Sequence, residues 1–142
     1  MPVVNFHLVD GHCSAEQKAC LLKDASQLYS LVLRSPIDRV RAFITLHAAT
    51  ECAVAGEVVE AGGRHAPFFE FFVLEGRPLD ERQALMRGFT DLLSATLAVE
   101  RCLIRGRCIR VDPQDWCIGG RDAAELRKQE ILDRAAQAGG AE

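Results

Sequence analysis

Residues 2–11 read Pro-Val-Val-Asn-Phe-His-Leu-Val-Asp-Gly, and residues 67–76 read Pro-Phe-Phe-Glu-Phe-Phe-Val-Leu-Glu-Gly. Each segment begins with proline, continues as a short run of apolar, β-branched and aromatic residues, and ends in an acidic residue followed by glycine. Such a run predicts a β-strand, and the acidic-Gly pair predicts the turn that ends it. The chain therefore contains two strands of the same kind, one after Pro2 and the other after Pro67.

Each of these strands is followed by a helical pattern and then by a second apolar stretch. Ser14 is a candidate N-cap with Gln17 three residues later, which is the spacing of a capping box. A strand, a helix and a strand in this order make a β-α-β unit whose helical crossover leaves its two strands parallel. The predicted elements are a helix from Ser14 up to Ser35-Pro36, a strand at Val40–Leu46, a helix from about Asp80 to Leu97 and a strand at Cys108–Val111.

The two units align on each other without a gap when Pro2 is set against Pro67. Proline, strand, acidic-Gly turn and helix recur in the same order, which indicates duplication. The aligned identities are Pro2 with Pro67, Phe6 with Phe71, Gly11 with Gly76, Glu16 with Glu81, Ala19 with Ala84, Leu28 with Leu93 and Ile44 with Ile109. We therefore predict an α+β fold in which tandem β-α-β units form a four-stranded mixed sheet with two helices on one face.

The chain length and composition favour one domain. Its 142 residues, 49% of them hydrophobic, are enough for one core. We predict a single domain with repeat unit one at 2–47, a connector at 48–66, repeat unit two at 67–120 and a C-terminal helix at 121–138. A short strand is expected in the connector near residues 57–60.

Charge and cysteine usage exclude several classes of protein. The net charge is −3 and the basic residues are dispersed, so neither a nucleic-acid surface nor a membrane surface is predicted. The N-terminal residues do not resemble an export signal, so we expect a cytoplasmic protein with six reduced cysteines. The four histidines and the cysteines show no C-x-x-C or H-x-x-x-H spacing, and neither a metal site nor a cofactor is predicted.

The duplicated units and three short motifs resemble the tautomerase superfamily. Pro2 follows the initiator directly, as the family's N-terminal proline does. The motifs, from 4-oxalocrotonate tautomerase and its fused relatives, are Ser35-Pro-Ile-Asp-Arg-Val-Arg-Ala-Phe-Ile-Thr45, Val73-Leu-Glu-Gly-Arg77 and Trp116-Cys-Ile-Gly-Gly120. In length and in the fusion of two units, the chain is most similar to the group of malonate semialdehyde decarboxylase and cis-3-chloroacrylic acid dehalogenase. The resemblance implies a tautomerase fold and a homotrimer.

The resemblance also implies the roles of individual residues. Pro2 would be the catalytic amine once Met1 is removed, because a proline inside a chain has only an amide nitrogen. Arg41 and Arg77 would bind the carboxylate of the substrate, with Arg77 also stabilising the developing charge, and Trp116 would line the substrate site. The phenylalanines Phe6, Phe69 and Phe71 are expected to complete the walls of this pocket.

The leading function is keto-enol tautomerisation of a small 2-oxo or enol carboxylic acid, with Pro2 as general base. An alternative is a decarboxylase-like lyase or hydratase that uses protonated Pro2. For that reaction Asp38, in a Pro-Ile-Asp-Arg segment that resembles the decarboxylase, is the candidate catalytic carboxylate. A third possibility is a non-catalytic trimeric binding protein. One departure from the family pattern is His12, which stands where a simple tautomerase has an arginine.

Overall fold

The computed structural model describes residues 2–139, apart from the side chains of residues 130, 131 and 134. The predicted removal of Met1 lies outside the described residues. The chain forms two compact units, one of Met1–Val73 with Arg77–Ile109 and the other of Leu74–Gly76 with Arg110–Glu142. In the part of the chain that the structure describes, no helix is both long enough and apolar enough to cross a membrane.

The predicted β-α-β units are both present. The first consists of β1 (Val3–Val9), α1 (Ala15–Leu33) and β2 (Arg41–His47). Two short strands of the connector follow, β3 (Ala53–Val54) and β4 (Glu57–Val58), which pair as a hairpin where the sequence had predicted a single short strand. The second unit consists of β5 (Phe68–Leu74), α2 (Leu79–Leu97) and β6 (Arg105–Val111).

The C-terminal part contains a small hairpin and a third helix. The strands β7 (Cys117–Ile118) and β8 (Arg121–Asp122) pair antiparallel. Gly119 and Gly120 both have positive φ angles, of 58° and 85°, as a tight two-residue hairpin turn requires. Helix α3 spans Ala123–Gly139, so it begins two residues later than predicted because Arg121 and Asp122 belong to β8.

The main sheet has four strands in the order β2-β1-β5-β6. Strand β1 is parallel to β2 and antiparallel to β5, with Val3 opposite Phe72 and Phe6 opposite Phe69. The mixed four-stranded sheet of the sequence prediction is therefore confirmed. Because β1 and β5 run in opposite directions, the two copies of the unit start at opposite ends of the sheet.

Both helices cover the same face of this sheet. Alternate residues of β1 and β5 point towards the helices, as the two-residue period of a strand requires. One residue in each helical turn completes the core, in which Phe89 makes edge-to-face contacts with Phe6 and Phe71. The buried positions are Val4, Phe6 and Leu8 in β1, Phe69, Phe71 and Val73 in β5, Leu21, Ala25, Tyr29 and Leu33 in α1, and Leu85, Phe89, Leu93 and Leu97 in α2.

The gapless alignment of the two copies is wrong beyond the first turn. Strand β5 begins where the match of Pro2 with Pro67 places it, but α2 and β6 each begin one residue earlier than that match predicts. The turn after β5 is one residue shorter than the turn after β1. The structural counterpart of Leu28 is therefore Leu92, and that of Ile44 is Cys108, because each pair occupies the same position in its element.

The face of the sheet opposite the helices carries a polar network. His7 Nδ1 lies 2.8 Å from His47 Nε2, and His7 Nε2 lies 3.2 Å from Glu70 Oε1. Arg107 Nε donates to the other carboxylate oxygen of Glu70 at 3.3 Å. These contacts join four neighbouring strands through side chains on the face that α1 and α2 leave uncovered.

Candidate functional site

Pro2 lies immediately before β1 and is fully buried. Its carbonyl oxygen accepts a hydrogen bond from the backbone N–H of Arg41 at 2.9 Å. This bond continues the parallel pairing of β1 and β2 by one residue. The first residue of β2 therefore lies beside Pro2.

Arg41 is exposed, and its guanidinium is held close to its own backbone. Nη1 donates to the carbonyl oxygen of Asp38 at 2.8 Å and to that of Val40 at 3.1 Å. Asp38 lies in a single 3₁₀ turn, Ile37–Arg39, and is also exposed. The structure thus brings Arg41 and Asp38 together, next to the strand start that carries Pro2.

Arg77 follows the end of β5, which antiparallel pairing puts beside the start of β1. Its Nη1 donates to the carbonyl oxygen of Leu33 at 2.9 Å and lies 3.5 Å from Glu81 Oε2. Leu33 is the last residue of α1, where unpaired carbonyl groups favour a cation. The side chain of Arg77 is 30% exposed, so it is partly shielded from solvent.

Tyr29, in α1, contacts the backbone of both β1 and β5 close to Pro2 and Arg77. Its buried hydroxyl donates to the carbonyl oxygen of Phe72 and lies 3.3 Å from that of Val3, the residue after Pro2. Burial raises the pKa of this phenol far above its usual value, and the nearby Arg77 guanidinium partly opposes the shift. Sequence reasoning did not single out Tyr29, although it is the only tyrosine and stands at a core position of the α1 pattern.

Four of the five predicted site residues therefore gather at one end of the sheet: Pro2, Asp38, Arg41 and Arg77. Two guanidinium groups near one proline can bind a carboxylate and hold it close to that nitrogen. The fifth residue, Trp116, belongs to the other compact unit, in which it is half-buried and its carbonyl accepts the backbone N–H of Ala123 at 2.9 Å.

The expectation that Phe6, Phe69 and Phe71 line the pocket is wrong. Their rings are at most 1% exposed and pack together in the core between the sheet and the helices. They point to the helix-covered face because they occupy the same alternate positions as Val4 and Val73. Their contribution is to fix β1 and β5 rather than to contact a ligand.

Arg105 is a second residue that the sequence analysis missed. Its Nη1 donates to the carbonyl oxygens of Cys102 and Ile104, at 2.7 and 3.2 Å, as Arg41 does with Asp38 and Val40. The gapless alignment set Arg41 against Gly106. A one-residue gap in the turn would have matched the two arginines.

Potential metal ligands do not cluster in the described part of the chain. Among residues 2–139, no group of three or more histidine, cysteine, aspartate or glutamate side chains is arranged to hold a metal ion. None of the six cysteines, all of which the structure describes, is in a disulfide, and Cys20, Cys102 and Cys117 are exposed.

Comparison with known proteins identifies relatives of the first unit. A family model described as "Tautomerase enzyme" matches residues 2–62. The 2-hydroxymuconate tautomerase of Stutzerimonas stutzeri is 34% identical over 64 residues, which are 45% of this chain and 100% of that protein. The enzyme of the same name from Pseudomonas fluorescens is 37% identical over 57 residues, covering 40% of this chain and 89% of that protein. Each of these two relatives therefore matches less than half of the present chain, although most or all of the relative's own length is matched.

Solved structures match over most of the chain. A wild-type fused 4-OT that forms a symmetric trimer is 25% identical, with a TM-score of 0.77 over 86% of this chain and 96% of that chain. Native fused 4-OT has a TM-score of 0.81 at 22% identity, over 87% of this chain and 98% of that chain. The second likeness concerns the fold alone.

Proposed function

This chain belongs to the tautomerase family and is an isomerase of that family; from that premise, we propose that it catalyses keto-enol tautomerisation of a small 2-oxo or enol carboxylic acid. The observation that carries the proposal is the position of Pro2, buried at the start of β1 between Arg41 on β2 and Arg77 after β5.

Pro2 acts as the general base in this proposal. Removal of Met1 turns its nitrogen into a secondary amine, which in its neutral form can take a proton from carbon and return it to another atom. Burial and nearby cations both disfavour the protonated amine, and so bring its pKa towards neutral pH. A base with a pKa near the working pH is the most effective for such a transfer.

The two arginines bind the acid and stabilise the charge that forms. Arg77 is anchored on the end of α1 by one of its five N–H groups, which leaves others for a substrate oxygen. Charge-assisted bonds from guanidinium groups stabilise both the carboxylate and the enolate oxygen as it develops. The resemblance of residues 116–120 also assigns a substrate-binding role to Trp116, and this stays a prediction.

We infer the chemical class of the substrate from the names of the relatives. Two of them are named 2-hydroxymuconate tautomerase, and 2-hydroxymuconate is an enol acid that converts to a 2-oxo acid. We propose a substrate of this chemical type for the present chain.

We also propose a homotrimer, after the trimeric fused 4-OT that the chain resembles. The sheet face that the helices leave uncovered is the proposed contact. It carries Phe43, an exposed aromatic residue (54%) on the edge strand β2. Burial of such a side chain between copies is a driving force for association.

A lyase reaction is the second candidate, because exposed Asp38 lies in the turn Ile37–Arg39, and the backbone carbonyl of Asp38 holds the guanidinium of Arg41. In it, protonated Pro2 polarises a carbonyl group and Asp38 orients the substrate or a water molecule. The pH profile of kcat separates the two reactions. Tautomerisation rises as Pro2 loses its proton, whereas the lyase reaction falls over the same pH range.

The test compares the mature protein with a variant that has Gly-Ser inserted before Pro2, which keeps the side chain but converts the amine to an amide. Intact-mass measurement first establishes that the parent lacks Met1. We expect the insertion to lower kcat for enolisable 2-oxo acids by about a hundredfold or more, the usual contribution of a general base.

Pro2→Ala is the matched variant, because it retains an N-terminal amine but replaces the secondary amine with a primary one. It should keep part of the activity that the insertion removes. Equal activity of the parent and the insertion variant would refute the role of Pro2.

A further inference from the structure

We propose that the cleft lined by His12, Arg64, His65 and Glu100 is a second binding site, selective for small carboxylates, that binds them without turnover. This cleft of about 330 Å³ lies within the larger compact unit and is distinct from the surroundings of Pro2. The inference goes beyond the proposed function and concerns residues to which that function gives no role.

The cleft includes His65, close in sequence to the start of the second copy of the unit, which corresponds to the start that carries Pro2. The backbone N–H of Arg105 donates to the carbonyl oxygen of Pro67 at 3.2 Å, as that of Arg41 donates to Pro2. His65 lies two residues before Pro67. Since β1 and β5 are antiparallel, this second strand start lies at the opposite end of the sheet from Pro2.

The walls of the cleft correspond in the same way. Leu97, at the end of α2, lines it and is the counterpart of Leu33, whose carbonyl holds Arg77. His12 lies in the turn after β1, as Arg77 lies in the turn after β5. The second copy therefore has His12 in the turn that corresponds to the turn of Arg77 at the other end of the sheet.

Histidine N–H groups are part of what the cleft offers a ligand. The backbone N–H of Val9 donates to His65 Nε2 at 3.2 Å, so the ring proton of neutral His65 is on Nδ1 and available to donate. Burial lowers the pKa of His65, and His12 lowers it further, so His65 is neutral at pH 7. The ring of His12 lies 5.3 Å from that of His65, centre to centre, and adds further donor capacity.

Arg64 supplies the positive charge for a carboxylate. At present its Nη1 lies 3.2 Å from Glu100 Oε2, and both side chains are about two-thirds exposed (66% and 65%). Exposed pairs of this kind are weak, so a ligand carboxylate can take the place of the Glu100 carboxylate. Apolar side chains such as Leu97 and Leu103 complete the wall and suit a short hydrocarbon chain.

Binding in this cleft leads to no proton transfer by an amine. The nitrogen of Pro67 is in a peptide bond and has no basic lone pair. A small acid that occupies the cleft is therefore bound and released unchanged.

The experiment is a titration with 2-oxobutanoate followed by the histidine ring resonances in NMR spectra. The chain has only four histidines, so each can be assigned by substitution. We expect the signals of His12 and His65 to shift and saturate, while those of His7 and His47, on the uncovered sheet face, serve as internal references. Butan-2-one, which lacks the carboxylate, should cause no such shift.

Two variants test the assignment. Arg64→Gln should weaken the binding that His65 reports by about tenfold, the value of one charge-assisted hydrogen bond. Glu100→Gln should strengthen it by about threefold, because the internal competitor is removed. Glu60→Gln, at an exposed position outside the cleft lining, is the control and should leave affinity unchanged.

Arg77→Ala separates this proposal from the function proposed for Pro2. The titration of His12 and His65 must persist in that variant. Loss of their response with Arg77→Ala, an equal response to chloride, or an equal response to butan-2-one would each overturn the second site. None of these outcomes would alter the test of Pro2.

Discussion

Tyr29 ties together the two strands on which the candidate site rests. Its hydroxyl reaches the carbonyl groups of both Val3 on β1 and Phe72 on β5. A phenol buried at this point must remain protonated, because its negative form would lie next to two carbonyl oxygens in an apolar core. The hydroxyl therefore links the stability of the fold to pH in the alkaline range.

Alkaline pH should destabilise the protein through Tyr29. Burial raises its pKa in the folded chain, whereas in the unfolded chain it ionises near its ordinary value of about 10. Above that pH the unfolded state binds fewer protons than the folded state, so the free energy of unfolding falls by about 1.4 kcal/mol for each pH unit. Below it, this contribution is fully present.

Urea denaturation between pH 9 and 11 measures this slope, with Tyr29→Phe as the control. The variant should lose about 1 kcal/mol at neutral pH, the value of a buried hydrogen bond, and should show a shallower alkaline slope than the parent. Identical slopes would contradict the assignment. Because Tyr29 is the only tyrosine, absorbance of the tyrosinate form reports its ionisation directly.

At the scale of single residues, the sequence identified the candidate site only in part. Pro2, Arg41 and Arg77 were predicted because each stands at a strand boundary in a recognisable motif, and their roles stay predictions. Tyr29 was not found, because its role depends on which carbonyl groups lie across the core. Trp116 lies in a different compact unit, so its role stays a prediction from the motif alone.

At the scale of elements, most strands and helices followed from the sequence because their apolar residues recur at a regular spacing. The start of β6 was not predicted correctly from the sequence. Arg105 and Arg107 are exposed and Gly106 lies between them, so these residues lack the apolar pattern of a buried strand and the prediction began at Cys108. The single-residue gap between the copies was also missed, because apolar residues are frequent enough in both helices to match by chance after a shift of one.

Gly106 is a position where β6 depends on the absence of a side chain. A Cβ atom there would overlap the ring of Phe69, which is 1% exposed and fixed by Phe6 and Phe89. We expect Gly106→Ala to lower the free energy of unfolding by about 1–3 kcal/mol, as overpacking of a core does. Denaturant unfolding monitored by circular dichroism measures the change.

Gly139→Ala is the control, since a Cβ atom at Gly139 would meet nothing within 4 Å. Phe69→Leu supplies a further check, because it makes room beside residue 106. The cost of Gly106→Ala should be smaller in the Phe69→Leu background than in the parent. Additive effects would mean that the ring of Phe69 is not the obstacle.

At the scale of the whole molecule, the proposed homotrimer predicts a mass in solution three times that of the chain. Phe43→Glu puts a charge on the uncovered sheet face and should shift the protein towards the monomer, because an unpaired charge in a contact is costly. Light scattering coupled to gel filtration measures the change. Leu31→Glu, at an exposed position (77%) of α1, is the control and should leave the trimer intact.

The duplicated start of the second unit has a further consequence for the whole chain. Hydrolysis of the bond between Ala66 and Pro67 would leave two fragments, one with β1, α1 and β2 and the other with β5, α2 and β6. Pro67 would then carry a secondary amine, two residues after His65 in the sequence. The peptide bond between Ala66 and Pro67 therefore keeps the second proline nitrogen non-basic, so the duplicated chain can present a proline amine only at Pro2.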